Sequence, residues 1–238
     1  MRVKLFNLNC WLLPSPFSID NKKRLANIIS FIKKQNPDII TLQEVWMKKY
    51  VKKIKRELPQ YKFFSYSSKL YNKSGLLFGI KWKPLFGYQK IFPITNLHSK
   101  REKIGSKGYQ LFEVSPGVFV MNTQLYAPEK SYQMKITVSH FREIEKASSG
   151  KRVILSGDLN LEEYEFSKIN KTFYYKSPLN FTIAKKNPYC HSRFNKLNDA
   201  NKIIDYVVSN EKNIPVESKV YNPVTFSDHY SLKGTFEI

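Results

Sequence analysis

Three apolar runs of the chain each lead directly into a carboxylate. They are Leu42-Gln43-Glu44, Ser156-Gly157-Asp158-Leu159-Asn160 and Ile203-Ile204-Asp205-Tyr206, and a fourth acidic segment, Ser227-Asp228-His229, precedes the last strand-like run. Short apolar runs predict buried strands, so we expect these carboxylates at strand ends, where loops gather and the backbone is rigid. Side chains held in this way can bind a metal ion or transfer a proton.

The candidate ligands are hard oxygen donors. Carboxylates come from Glu44, Asp158 and Asp228, and neutral amide oxygens from Asn7, Asn9 and Asn160. Oxygen sets with few histidines and no cysteines favour Mg²⁺ or Mn²⁺ over Zn²⁺. Mg²⁺ usually takes only one or two protein carboxylates and completes its shell with water and substrate phosphate.

Asp205 lies inside the apolar run 203–208. A carboxylate in such a run is costly to bury unless it is paired, and His229 is the obvious partner. The other segments keep a second interpretation. Gly157-Asp158-Leu159-Asn160 is also typical of a strand-ending turn, and Glu44 on its own could be a solvated surface residue.

The composition predicts a folded chain that attracts polyanions. The 238 residues are 42% hydrophobic, and 40 Lys and Arg against 19 Asp and Glu give a net charge of +21. Such a charge attracts nucleic acid, anionic lipid or phosphorylated molecules, although a lysine-rich composition can also serve solubility alone. No signal-peptide-like or membrane-spanning apolar run is seen, so we expect a cytoplasmic monomer with reduced Cys10 and Cys190.

Strand-like and helix-like segments alternate along the chain. An amphipathic helix is predicted at 20–35, a basic helix at 46–58 and a helix with one apolar face at 130–147. Strands are predicted at 2–11, 38–42, 61–67, 75–82, 109–114, 118–125, 152–156, 203–208 and 230–237. This mixture predicts a single α+β domain over 1–238, with two sheet layers flanked by helices. The stretch 161–202 has no clear period, and its aromatic residues could stack on bases, touch lipid or pack in the core.

Taken together, these segments resemble the endonuclease/exonuclease/phosphatase superfamily. The resemblance rests on an ordered set that spans nearly the whole chain: Phe6-Asn7-Leu8-Asn9, Leu42-Gln43-Glu44-Val45, Ser74-Gly75, Ser156-Gly157-Asp158-Leu159-Asn160, Ile204-Asp205-Tyr206 and Ser227-Asp228-His229. The flanks Asn9-Cys10-Trp11, Glu44-Val45-Trp46 and Asn160-Leu161 are most similar to the neutral sphingomyelinase branch. The resemblance implies a four-layer α/β/β/α sandwich and a metal-dependent hydrolase.

The resemblance also implies roles for individual residues. Glu44 would be the main Mg²⁺ or Mn²⁺ ligand, with Asn9 and Asp228 near it, and Asn7 would hold Glu44 or the phosphate. Asp158 would activate water, Asn160 would orient the phosphate, and His229, aligned by Asp205, would bind or protonate it. Ser74 and Gln124 are expected to contact substrate.

One position departs from the family pattern. Many members have histidine in an Asn-Thr-His-Leu motif, whereas this chain has Asn122-Thr123-Gln124-Leu125. Gln124 is uncharged and cannot act as an imidazolium does. Tyr126, in a Tyr-x-Pro setting similar to that of the apurinic endonuclease branch, is a candidate to replace the missing group.

Two classes of function follow. The first is a Mg²⁺-dependent phosphodiesterase that acts by in-line water attack on nucleic acid, which the charge favours, or on a phospholipid head group, which the motif flanks favour. An anionic membrane surface could recruit such a basic protein. The alternative is a catalytically weakened fold that binds nucleic acid or anionic lipid, and Gln124 is its only support.

Overall fold

Two β-sheets organise the chain, and the first has six strands. The computed structural model describes residues 1–68, 71–98, 103, 105–177, 180–191, 201–221 and 224–238. The strands of the first sheet are β1 (Arg2–Leu12), β2 (Ile39–Val45), β3 (Lys62–Ser67), β4 (Asn72–Ile80), β10 (Glu217–Val220) and β11 (Leu232–Glu237). Their spatial order is β10-β11-β1-β2-β4-β3.

The second sheet has five strands in sequence order. They are β5 (Phe86–Ile91), β6 (Gly108–Ser115), β7 (Val118–Gln124), β8 (Arg152–Asp158) and β9 (Asp205–Ser209). Each sheet contains one parallel pair, β1 with β2 and β7 with β8, and each pair is joined through a crossover helix. Strands of a parallel pair end at the same edge of their sheet, so residues that follow them are brought together.

Helices cover the outer face of each sheet. They are α1 (Asn21–Gln35), α2 (Lys48–Glu57), α3 (Met134–Ser148) and α4 (Glu163–Ile169). In α1, Leu25, Ile28, Ile29 and Ile32 recur at helical spacing, and all four are buried against the first sheet together with residues of α2. Helices α3 and α4 pack in the same way on the second sheet.

A continuous apolar layer fills the space between the sheets. Its buried side chains form one cluster, which includes Val3 and Leu5 from β1, Phe78 from β4, Phe112 from β6 and Ile154 from β8. Helices outside two packed sheets make four layers, α/β/β/α. The predicted α+β sandwich is therefore confirmed.

The structure adds three elements that the sequence did not predict. Strand β5 is a half-exposed edge strand, β10 has four residues with two charged side chains, and α4 lies in the aperiodic stretch 161–202. Edge strands lack the buried alternation on which pattern reading depends. The capping box formed by Glu162 and Glu165 marks the start of α4, but it was not used to predict this helix from the sequence. Cys10 and Cys190 are both buried thiols, as expected.

Candidate active site

The acidic residues meet where the two parallel strand pairs end. Asn9 and Glu44 come from β1 and β2 of the first sheet, and Gln124 and Asp158 are the last residues of β7 and β8 in the second. Gln124 lies directly opposite Asp158 in the β7–β8 register. Because both sheets present these ends at one edge of the sandwich, side chains from the two sheets make direct contact.

Asp158 is almost fully enclosed, at 1% exposed. Its Oδ2 accepts hydrogen bonds from Asn9 Nδ2 at 2.9 Å and from Gln124 Nε2 at 3.2 Å. Its Oδ1 accepts the backbone N–H of Asn160 at 3.0 Å, and the Asn160 amide in turn donates to Leu125 O. The carboxylate is therefore fixed by groups from both sheets.

Burial sets the protonation of Asp158. It raises the pKa of this carboxyl to about 6, and the charge of Asp205 adds to the rise, whereas His229, the Asn9 hydrogen bond and Lys107 act against it. A carboxylate with a pKa near 6 is ionised at neutral pH and still basic enough to take a proton. This is the property required of a general base.

His229 and Asp205 form a buried pair. The distance from His229 Nδ1 to Asp205 Oδ2 is 2.8 Å, as the apolar run around Asp205 led us to expect. Burial on its own lowers the pKa of His229, but the charges of Asp205 and Asp228 outweigh it and hold that pKa well above its usual range. With Nδ1 engaged, Nε2 of the imidazolium is the atom that can donate to a phosphate.

Glu44 and Asp228 are the remaining acids of the site. Gln124 Nε2 donates to Glu44 Oε1 at 2.8 Å, and Ser227 Oγ donates to Asp228 Oδ1 at 2.8 Å. Burial raises the pKa of Asp228, and the charge of Glu44 raises it further, whereas His229 opposes the rise. The two carboxylates therefore lie within electrostatic reach of each other.

The donor set fits a hard divalent cation. Asp158, Asp205 and His229 place one ligand atom each within 4.8 Å of one another, but a protonated His229 has no lone pair for a metal. The oxygens of Glu44 and Asp228 are better donors, because both are carboxylates and they lie near enough for the charge of Glu44 to raise the pKa of Asp228. Carboxylate oxygens without thiolates match Mg²⁺ or Mn²⁺.

Asn9 and Asn7 both take part in hydrogen bonds inside the protein. Asn9 donates to Asp158, and its Oδ1 accepts the N–H of Trp11 at 3.1 Å, which leaves that oxygen one lone pair for a cation. Asn7 Oδ1 accepts from Thr41, Gln43 and Ser156. The predicted contact of Asn7 with Glu44 is not among its hydrogen bonds with the described residues, and its oxygen instead joins the two sheets beneath the site.

Two further predicted residues are buried, and of these Ser74 lies beside Glu44. Ser74 is buried at the start of β4, which runs antiparallel to β2 and so begins beside the segment that holds Glu44. Tyr126 is fully buried, and its ring packs edge-on against His98 at 5.0 Å between centroids. Its backbone oxygen accepts the hydroxyl of Thr137, which anchors the turn after β7.

Lys107 was missed by sequence reasoning. Its Nζ lies 3.8 Å from Glu44 Oε1 and 5.4 Å from the ring centroid of Trp46, and its side chain is 5% exposed. A buried lysine is unusual unless it has a partner. The only sequence signal is its place just before β6, and among many other lysines that signal has no specificity.

The backbone is strained where these residues sit. Trp11, Glu44, Ser74 and Asn160 all have φ between 46° and 64° although none is glycine. Such conformations cost roughly 1–3 kcal/mol each and cluster at functional sites. At each of these residues the positive φ changes the direction of the backbone near the end or the start of a strand.

Comparison with known proteins agrees with this geometry. The sequence model of the endonuclease/exonuclease/phosphatase family matches residues 7–229. No curated protein matches the sequence significantly. Among the described residues, no helix has both the length and the apolar character needed to cross a membrane.

Solved structures share the fold at low identity. Sphingomyelinase C from Streptomyces griseocarneus matches with a TM-score of 0.83 and 16% identity, covering 100% of both chains. A beta toxin from Staphylococcus aureus matches with a TM-score of 0.80 and 18% identity, over 98% of this chain and 99% of that one. TDP2 from D. rerio, complexed with a single-strand DNA product, matches with a TM-score of 0.78 and 16% identity, over 100% and 99%.

Proposed function

The chain belongs to the endonuclease/exonuclease/phosphatase family, whose members hydrolyse phosphodiesters, and on that premise we propose that it is a Mg²⁺- or Mn²⁺-dependent phosphodiesterase. The observation that supports this most directly is the position of Asp158 among Asn9, Asn160 and Gln124, beside the His229–Asp205 pair. In-line attack on a phosphate requires a base for the attacking water and a positively charged group held beside the phosphate. Asp158 and protonated His229 are the candidates for these two groups.

The proposed reaction adds water across a P–O ester bond. Asp158 takes a proton from the water as the water oxygen bonds to phosphorus, the bond to the leaving oxygen breaks, and the leaving oxygen takes up a proton from solvent to give an alcohol while Asp158 returns its own proton to solvent. His229, held by Asp205, binds the charged phosphate oxygens, and Asn160 orients the group. Oxygens of Glu44 and Asp228, with Asn9 nearby, would hold the cation, which when bound offsets negative charge on the phosphoryl group.

The isosteric change Asp158→Asn tests this function. It removes the base and keeps its shape, so hydrolysis of bis(p-nitrophenyl) phosphate with Mg²⁺ should fall about 10²–10⁴-fold. Asp38→Asn is the matched control, because Asp38 pairs with Lys81 away from the site and should leave the rate unchanged. Chelation of the metal should abolish turnover of the wild-type protein. Equal rates for the wild-type protein and Asp158→Asn would refute the proposal.

The substrate is proposed to be nucleic acid or a phospholipid head group. The net charge of +21 supports a polyanionic target. Exposed aromatic side chains support either one, since they can stack on bases or insert at a lipid surface. A panel of abasic, single-stranded and duplex DNA, RNA, sphingomyelin and inositol phosphates, assayed side by side, would identify the substrate.

The second candidate function is binding without turnover. The observation in its favour is Gln124 at the position where many family members have histidine. Retention of Asp158, Asp205 and His229 in mutual contact range weighs against it. Tight binding of DNA or anionic vesicles by a wild-type protein that hydrolyses no member of the panel would favour this second function.

A further inference from the structure

Gln124 joins the two sheets through a single nitrogen atom. Its Nε2 donates to Glu44 Oε1 at 2.8 Å and to Asp158 Oδ2 at 3.2 Å. Glu44 belongs to the first sheet and Asp158 to the second. The side chain is 1% exposed, so water cannot substitute freely for these hydrogen bonds.

The chemistry of the amide explains why one atom can do this. A carboxamide nitrogen carries two hydrogens, whereas each nitrogen of an imidazole carries at most one. Histidine at this position could therefore not donate from one atom to both carboxylates. The residue that breaks the family pattern makes a contact that the usual residue cannot make.

The two hydrogen bonds also weigh against the substrate contact expected of Gln124 from the sequence. Both hydrogens of Gln124 point to carboxylates, so none is left to donate to a phosphate oxygen. The only remaining polar atom is Oε1, which has no hydrogen-bond partner in the described part of the chain. An oxygen acceptor repels an anionic phosphate oxygen, and direct substrate binding through Gln124 is therefore unfavourable.

We propose that Gln124 is a positioning residue that fixes the distance between the metal-ligand carboxylate Glu44 and the general base Asp158. Two nearby carboxylates repel each other in a buried site. A shared donor offsets that repulsion and holds both groups in one arrangement before a cation arrives. The inference rests on the proposed function, because it assigns a metal ligand and a base to these two acids.

Four proteins test the inference: the wild type, Gln124→Met, Gln124→His and Gln110→Met. Gln110 is the matched control, since it is a fully buried amide of the second sheet that donates to Phe64 O and Gln89 and accepts from Asn122, and none of these partners is a carboxylate. For each protein, kcat, KM and the Kd for Mn²⁺ by calorimetry are measured, with the thermal midpoint as a check on folding.

The positioning role predicts a specific pattern. Gln124→Met and Gln124→His should each lower kcat and weaken Mn²⁺ binding by about 10–100-fold, with KM nearly unchanged. Gln110→Met should lower the thermal midpoint as much as Gln124→Met but keep the kcat and Mn²⁺ affinity of the wild type.

Other results overturn the inference. A higher kcat/KM for Gln124→His than for the wild type would show that an imidazole serves the site better than the amide does. A rise in KM alone for Gln124→Met would make Gln124 a substrate-binding residue. If Gln124→Met binds Mn²⁺ as tightly as the wild type does, Gln124 has no positioning role, whether or not the wild-type protein is active. A wild-type protein with neither turnover nor Mn²⁺ binding would instead remove the proposed function, and this inference with it.

Discussion

The protonation of Asp158 should control the rate at acidic pH. Its pKa is raised to about 6 by burial, and the Asn9 hydrogen bond holds the value down. The base acts only when ionised, so kcat/KM should fall as the pH drops through about 6. Removing the Asn9 donor disfavours the ionised form, and therefore Asn9→Ala should move this acid limb to higher pH.

A pH–rate profile of the wild-type and Asn9→Ala proteins with saturating Mg²⁺ measures the effect. Ser65→Ala serves as a control for a polar deletion elsewhere in the first sheet. An acid limb that stays in place, or moves to lower pH, in Asn9→Ala would contradict the assignment of Asp158 as the base.

Sequence alone indicated which residues to consider but not how they are connected. Asp205 inside an apolar run required a partner, and that requirement identified His229. In contrast, no pattern showed that Gln124 would reach two carboxylates, that Asn7 would turn towards Thr41 and Ser156, or that Lys107 would be buried. Those contacts depend on how the sheets face each other, which spacing along one chain does not specify.

The close contact of β7 and β8 depends on one glycine. Gly157 has φ +152°, and a Cβ added there would lie 2.0 Å from the backbone oxygen of Thr123. Gly157→Ala must therefore push the two strands apart, and we expect it to cost roughly 3 kcal/mol of stability and most of the activity. Urea unfolding and turnover together measure both effects.

Gly150→Ala is the matched control for this change. Gly150 also has a positive φ, +69°, but nothing lies within 4 Å of an added Cβ. The backbone conformation alone should cost about 1–2 kcal/mol, with activity retained. Similar losses in the two variants would show that strand separation is not the cause.

Elements with strong periodicity were predictable, and so were the edge strands β3 and β9, but the edge strands β5 and β10 were not. The helix expected at 20–35 is α1, Asn21–Gln35, because its buried residues recur every three or four positions. Strands β5 and β10 lie at sheet edges, and most of their side chains are exposed or half-buried. These two strands form because a neighbouring strand offers backbone hydrogen bonds, so their own sequences contain little that would predict them.

Five exposed aromatic residues lie at the end of the molecule that carries the site. Phe17, Tyr71, Tyr132, Tyr164 and Phe181 are 45–70% exposed. They lie in segments that follow β1, β7 and β8 or precede β4 and β9, all at that end. Part of the aromatic stretch 161–202 thus faces solvent, while Phe166 and Phe173 pack in the core.

The triple variant Phe17→Ser, Tyr164→Ser, Phe181→Ser tests whether this end binds the substrate. It should raise KM for the preferred nucleic acid or lipid substrate about tenfold or more, since each stacked or inserted ring contributes roughly 1–3 kcal/mol. Turnover of bis(p-nitrophenyl) phosphate should not change. Leu85→Ser with Phe86→Ser, at the opposite end, is the control, and an equal KM for both variants would argue against a docking role.

The site draws on both sheets, and this has a consequence for the life of the protein in a cell. Glu44 and Asn9 emerge from the ribosome long before Asp158, Asp205 and His229. A nascent or half-unfolded molecule with one sheet formed lacks either the proposed cation ligand Glu44 or the proposed base Asp158 in its folded position. Such a molecule would be inactive. On the proposed function, hydrolysis therefore requires that both sheets have docked, and a partly folded copy of this cationic protein would bind polyanions without hydrolysing them.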